Sequence, residues 1–271
     1  MRNEYVTTAK LDRLVRQLSD RDRAILLDLA RVRVLTGAQL TRLHFADLSA
    51  SSRERARRRV LARLVEHRLV ATLERPIGGV RAGSAGHVHS LGIAGVQALP
   101  LLGVQNGADE GVGRVRAPRT PGQLFLSHGL AISELYSQLV EAERASKLML
   151  AQFVAEPGTW HPDGRGGVIK PDAYVCVQER DLEDTYWVEV DLATESIPTL
   201  GRKLLSYLDF ALSGGVGPDG IMPRVIVTVP HDRRLAAVRD LVEALPAPAD
   251  QLILPVLYGR AVTAMIDTLR S

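Results

Sequence analysis

The sequence predicts an α+β chain in two parts: a basic, helix-rich module followed by a layered α/β module around a central mixed sheet. Three observations carry that prediction. Hydroxyl-capped helix starts crowd the first third of the chain, strands and helices alternate through the second half, and charge divides between the two. Residues 1–100 hold 18 lysines and arginines against 9 acidic residues, a net of +9, whereas the remainder nets −6. A basic half beside an acidic one points to an anion-binding module. Alternation of strand and helix points to a sheet with helices packed on it.

The bulk composition bounds the rest. At 271 residues, with 46% hydrophobic and 24% charged side chains, the chain has material for two modest domains and their cores. No apolar run approaches the ~20 residues that cross a bilayer. The opening Met1-Arg2-Asn3-Glu4 lacks the apolar stretch of a signal peptide. A cytoplasmic location and no membrane partner are expected. The single cysteine, Cys176, excludes an internal disulfide and a zinc site built on several thiolates, and reads as a core residue in mid-strand. Gly215-Val216-Gly217-Pro218-Asp219-Gly220 lies between a helix and a strand, the reverse of a dinucleotide fingerprint, and reads as a turn.

In the first module, Ser19-Asp20-Arg21-Asp22, Thr36-Gly37-Ala38-Gln39 and Ser51-Ser52-Arg53-Glu54 each place a hydroxyl three residues ahead of a reciprocal acceptor. They predict three helices, the second short and the third striped by Ala56, Val60, Leu61, Leu64 and Val65. Strands follow over residues 69–74 and 88–91, with a glycine-rich turn between them. Three helices and a hairpin resemble a winged helix-turn-helix domain. That resemblance makes the third helix the recognition helix, with Arg53, Arg55, Arg57, Arg58, Arg59 and Arg63, and the hairpin the wing, with Arg75 and Arg81. Arg55, Arg58 and Arg59 share one face by helical spacing. Arginine takes guanine edges and phosphates bidentately, so double-stranded DNA is the expected partner. Winged helices also serve as protein-interaction modules, and that alternative stays open. A domain over residues 1–100 and a linker over 101–122 are expected, with the second domain over 123–271.

The second module begins with a helix around residues 124–147. Strands are expected over 148–155, 172–177 and 185–192, a helix over 198–211, a strand over 224–229, a helix over 234–245 and a last strand over 251–258. Period two puts Trp187, Glu189 and Asp191 on one face of their strand, and Asp172 opens the neighbouring strand. Lys203 and Tyr207 lie one turn apart on the following helix. Buried carboxylates are costly unless paired, and clustered ones are hard-oxygen ligands for Mg²⁺ or Mn²⁺. The alternative is a structural cluster satisfied by Lys203, Arg202 and backbone donors.

Lys170-Pro171-Asp172-Ala173, Val188-Glu189-Val190-Asp191-Leu192-Ala193-Thr194-Glu195-Ser196 and Lys203-Leu204-Leu205-Ser206-Tyr207 resemble the PD-(D/E)XK nuclease fold. More narrowly, these stretches resemble the replication-relaxation family of actinobacterial plasmids and integrated mobile elements, over most of residues 19–260. The resemblance implies a winged helix joined to a nuclease-like core, and catalytic positions at Asp172, Glu189, Asp191 and Lys203. It also implies metal ligation by Asp172 and Glu189, with Glu134 of the preceding helix as an accessory acid. The nuclease pattern places lysine two residues after Glu189; this chain has Asp191 there, and Lys203 is the nearest replacement. The expectation is a DNA-binding protein of a plasmid or mobile element, acting in replication, relaxation or transfer, with a degenerate nuclease-like domain. A homodimer and other plasmid replication or transfer proteins are implied partners. An active Mg²⁺-dependent endonuclease and a transcriptional regulator with a sensing α/β domain are the alternatives.

Overall fold

The computed structural model describes residues 7–73, 86–104 and 123–270. They gather into two compact units, Met1–Ser137 and Gln138–Ser271. The expected linker lies largely outside the described residues, as does most of the turn between the first two hairpin strands.

The first unit runs α1 (Thr8–Arg16), α2 (Asp20–Val32), β1 (Leu35–Thr36), α3 (Gly37–His44), α4 (Ala50–Glu66), β2 (Val70–Thr72), β3 (Val88–Leu91) and α5 (Ile93–Ala98). The three strands form an antiparallel sheet with β3 in the middle, pairing Thr36 with Val88 on one side and Thr72 with His89 on the other. Two of the expected capping boxes are formed. Ser19 accepts from the Asp22 N–H while the Asp22 carboxylate accepts from the Ser19 N–H, and Thr36 and Gln39 reciprocate in the same way. The third is not. Helix α4 starts behind Ser49, whose hydroxyl meets those of Ser51 and Ser52, and the Glu54 carboxylate is taken by Arg57 at 2.6 Å. A charged donor outcompetes a backbone amide for that carboxylate.

Ile25, Leu26, Leu40 and Leu64 are fully buried, the stripe the helical periodicity predicts. Helix α5 approaches the α4–β2 connection so closely that a Cβ on Gly95 would lie 2.1 Å from the Leu69 carbonyl oxygen. The start of α6 (Gln123–Arg144) completes this core: Leu126 and Leu130 pack with Val34 and Val88, and the Ser133 hydroxyl donates to the Val34 carbonyl at 2.5 Å. The division between the two units falls inside α6.

The second unit is a mixed five-stranded sheet in the order β10 (Ile253–Leu257), β9 (Arg224–Val229), β8 (Leu182–Val190), β7 (Ala173–Glu179), β4 (Met149–Ala155). The β4–β7–β8 part is antiparallel; β8, β9 and β10 run parallel. Helices α7 (Ile197–Leu212) and α8 (Asp232–Glu243) cover one face, burying Leu204, Tyr207, Leu235 and Val238 against Trp187, Val225 and Val227. Helix α10 (Ala261–Leu269) packs against β7, β8 and β10, after the short α9 (Ala249–Leu252). Between β4 and β7 a small hairpin, β5 (His161–Pro162) and β6 (Val168–Ile169), stands where no strand is expected from the sequence. Cys176 is buried in β7, as expected. No helix among the described residues is long and apolar enough to cross a membrane.

Candidate functional site

Two constellations stand out, one in each unit. In the first, the arginines of α4 separate into two groups. Arg53 donates to the Ala46 and Leu48 carbonyls, fixing the turn between α3 and α4. Arg57 is fully buried and pairs with Glu54; burial, the largest influence, lowers its pKa against the opposing pull of Glu54. Arg63 grips Asp22 of α2 through both carboxylate oxygens at 2.6 Å. These three are structural. Arg55, Arg58 and Arg59 are exposed, and no ion pair or hydrogen bond engages them among the described residues. Their i, i+3, i+4 spacing sets them on one surface stripe of α4. Arg75 and Arg81 lie outside the described residues.

In the same unit, His89 of β3 is buried and shares a hydrogen bond with the Thr72 hydroxyl at 3.2 Å. Burial, with His87 and Arg57 nearby, pushes its pKa down to about 4, so the imidazole is neutral. Glu134 belongs to the same unit. Its carboxylate is held by the Arg42 guanidinium at 2.7 and 2.8 Å and by the Gln39 amide at 3.1 Å.

In the second unit, the antiparallel pairing of β7 with β8 and the crossing of α7 bring Asp172, Glu189, Lys203 and Tyr207 together. Asp172 precedes β7; its N–H donates to the Val188 carbonyl at 3.0 Å, and its Oδ2 accepts the Val190 N–H at 2.7 Å. Its Oδ1 lies 4.0 Å from Lys203 Nζ. Glu189 Oε2 is in direct contact with the same ammonium, and its Oε1 accepts a hydrogen bond from the Tyr207 hydroxyl. The Tyr207 ring lies 5.5 Å from that of Trp187, which braces it in the core.

The electrostatics follow from burial. Glu189 is 2% exposed. Desolvation first, and the like charge of Asp172 second, push its pKa up to about 8, against the opposing pull of Lys203 and Tyr207. Desolvation alone would lower the Lys203 pKa, and the Glu189 and Asp172 carboxylates reverse that and raise it. The Tyr207 phenol is raised well above its ordinary value, by burial and then by Glu189. Two hard-oxygen groups thus converge on one cationic position, which the Lys203 ammonium holds. Among the described residues, no three His, Cys, Asp or Glu side chains gather as metal ligands.

Asp191 has separate partners. Its Oδ2 accepts from Arg234 Nε at 2.6 Å and its Oδ1 from the Ala193 N–H at 2.7 Å. Arg234 also donates to the Glu195 carbonyl at 2.8 Å, tying the β8–α7 loop to the first turn of α8. Arg202 turns away from the cluster and donates to the Thr199 hydroxyl. Arg234 stands 43 residues from Asp191, and no spacing pattern in the sequence signals that pairing. The Tyr207 hydrogen bond was open to inference, because Lys203 and Tyr207 share a helix face.

Fold and sites together define a two-unit α+β protein, with an arginine-faced helical unit and a sheet unit carrying a carboxylate–lysine cluster. A family model described as replication-relaxation matches residues 26–225. The chain belongs to the replication-relaxation family. That membership ties it to replication or relaxation, and to DNA or replication-related partners. No curated protein and no solved structure matches the chain.

Proposed function

We propose that this protein binds duplex DNA through the exposed arginine stripe of α4, in the replication or relaxation of a plasmid or mobile element. The order helix, strand, helix, helix, strand, strand with β3 central supports a winged helix-turn-helix reading of the first unit, with α4 as the recognition helix. The observation that carries the proposal is the sorting of the arginines: Arg53, Arg57 and Arg63 are spent on the fold, and Arg55, Arg58 and Arg59 face outward together. Arginine in that setting suits phosphates and guanine edges. Anisotropy of a labelled duplex tests this. Replacing Arg55, Arg58 and Arg59 by alanine should weaken binding about a hundredfold at low salt, since fewer phosphates are neutralised and fewer counterions released. Unchanged affinity would reject the proposal and favour a protein-interaction role for the unit.

A second reading, metal-dependent DNA strand cleavage, is favoured by one observation: Lys203 brings an ammonium to both Asp172 and Glu189 although Asp191 stands in the usual lysine position. The donor set fits Mg²⁺ or Mn²⁺, which take one or two carboxylates from a protein and fill the remaining positions with water or phosphate. Asp172 and Glu189 would hold it. When bound, such an ion supplies an activated water and stabilises developing phosphate charge. The Lys203 ammonium balances one negative charge of the Asp172–Glu189 pair, and Tyr207 fixes the Glu189 carboxyl by its hydrogen bond. Incubation with supercoiled plasmid and either ion checks this reading: nicking lost in both Asp172→Ala and Glu189→Ala supports it, and no nicking by the wild-type protein rejects it.

A further inference from the structure

The hairpin of β5 and β6 lies in the chain directly before Asp172 and has two unlike faces. His161 pairs in register with Ile169, and Pro162 with Val168. On the inner face Ile169 is buried, and the His161 ring packs at 6.0 Å from Trp187 and 5.8 Å from Phe210. Continuing the register by one residue sets Trp160 opposite Lys170, and Lys170 Nζ lies 4.7 Å from the Trp160 ring centroid. The outer face is therefore Trp160, Pro162, Val168 and Lys170, with Trp160 47% and Val168 48% exposed.

The hairpin is held in a fixed shape. Asp163 Oδ1 accepts the N–H groups of Arg165 and Gly167, both at 2.8 Å, which closes the tip and leaves the Arg165 side chain exposed. At its base the buried Thr159 hydroxyl donates to the Pro171 carbonyl at 2.5 Å. An exposed tryptophan costs solvation of apolar surface, and this one is presented by a braced hairpin, with the Lys170 ammonium over its ring and Arg165 at the tip.

We propose that this outer face is a stacking platform for an unpaired nucleic-acid base, Trp160 taking the base and Lys170 and Arg165 the flanking phosphates. Aromatic surface with adjacent cations is the chemistry that binds single strands without sequence preference. A duplex has no free base face to offer it. Lys170 is two residues from Asp172, so a strand seated here passes within about 7 Å of the backbone that carries the carboxylate site. The inference rests on the proposal that the protein handles DNA, and extends it from duplex to single strand.

The full chain contains two tryptophans, and Trp187 is fully buried, so emission changes on binding report Trp160. Titration with a single-stranded oligothymidine should quench that emission. Trp160→Ala should weaken oligothymidine binding, followed by anisotropy, about tenfold while leaving duplex affinity unchanged. Lys170→Gln, a milder surface change, should weaken it in the same direction. Conversely, alanine at Arg55, Arg58 and Arg59 should weaken duplex binding about a hundredfold at low salt and keep the quench. Duplex binding without any quench, or oligothymidine affinity indifferent to Trp160→Ala, overturns the platform and spares the α4 interface. A quench without duplex binding overturns the interface and spares the platform; neither signal overturns both.

Discussion

Glu189 concentrates the physics of the second unit in one carboxyl group. It is buried beside Asp172, and Lys203 and Tyr207 offset part of the desolvation. Its folded pKa near 8 lies above the ~4.3 of a free glutamate, so over that interval the folded protein holds a proton that the unfolded chain has released. Stability conferred by the protonated carboxyl is full at the acid end of that window and is lost as pH rises through it. The stability difference between wild type and Glu189→Gln should therefore move against the wild type from about pH 4.3 to about 8, then level off. Denaturant melts at several pH values measure this; a difference that moved in favour of the wild type with rising pH would contradict the assignment. Tyr207→Phe leaves one Glu189 oxygen without its donor and should cost about 2 kcal/mol in the same melts. The cluster was legible in the sequence because period two and the Lys-x-x-x-Tyr spacing are local geometry. The engagement of Asp191 by Arg234 and of Glu134 by Arg42 was not, since both pairings join residues far apart in the chain.

At the scale of the element, α4 shows how one helix divides its arginines between fold and surface. Composition alone gives six arginines in the helix region, and helical spacing finds the exposed trio. Spacing does not reveal that Arg57 is buried, because a guanidinium inside a small unit runs against the usual placement of charge. Arg57→Ala leaves a cavity and should lower stability by about 3 kcal/mol, whereas Arg58→Ala should stay within about 0.5 kcal/mol. Thermal melts of the two variants separate the roles; equal losses would place Arg58 in the fold as well. Gly95→Ala should destabilise by about 2 kcal/mol, because its Cβ meets the Leu69 carbonyl oxygen and backbone must shift. The elements that escaped the sequence are the least periodic. The two-residue β1 and the β5–β6 pair are too short to show alternation, and a glycine-rich run hides a hairpin whose shape comes from Asp163.

For the whole molecule, the charge division marks two chemistries on one chain: a basic helical unit and an acidic sheet unit. The mixed five-stranded sheet and its helices follow the predicted alternation, since each strand is an apolar run bounded by turn residues. Membership of the replication-relaxation family gives the process; the arginine stripe gives the surface that would serve it. The salt dependence of duplex affinity tests that surface most directly. For the wild type, log affinity should fall linearly with log salt, and alanine at Arg55, Arg58 and Arg59 together should reduce the slope by about 3. An unchanged slope in that variant would contradict the account and remove α4 from the DNA interface.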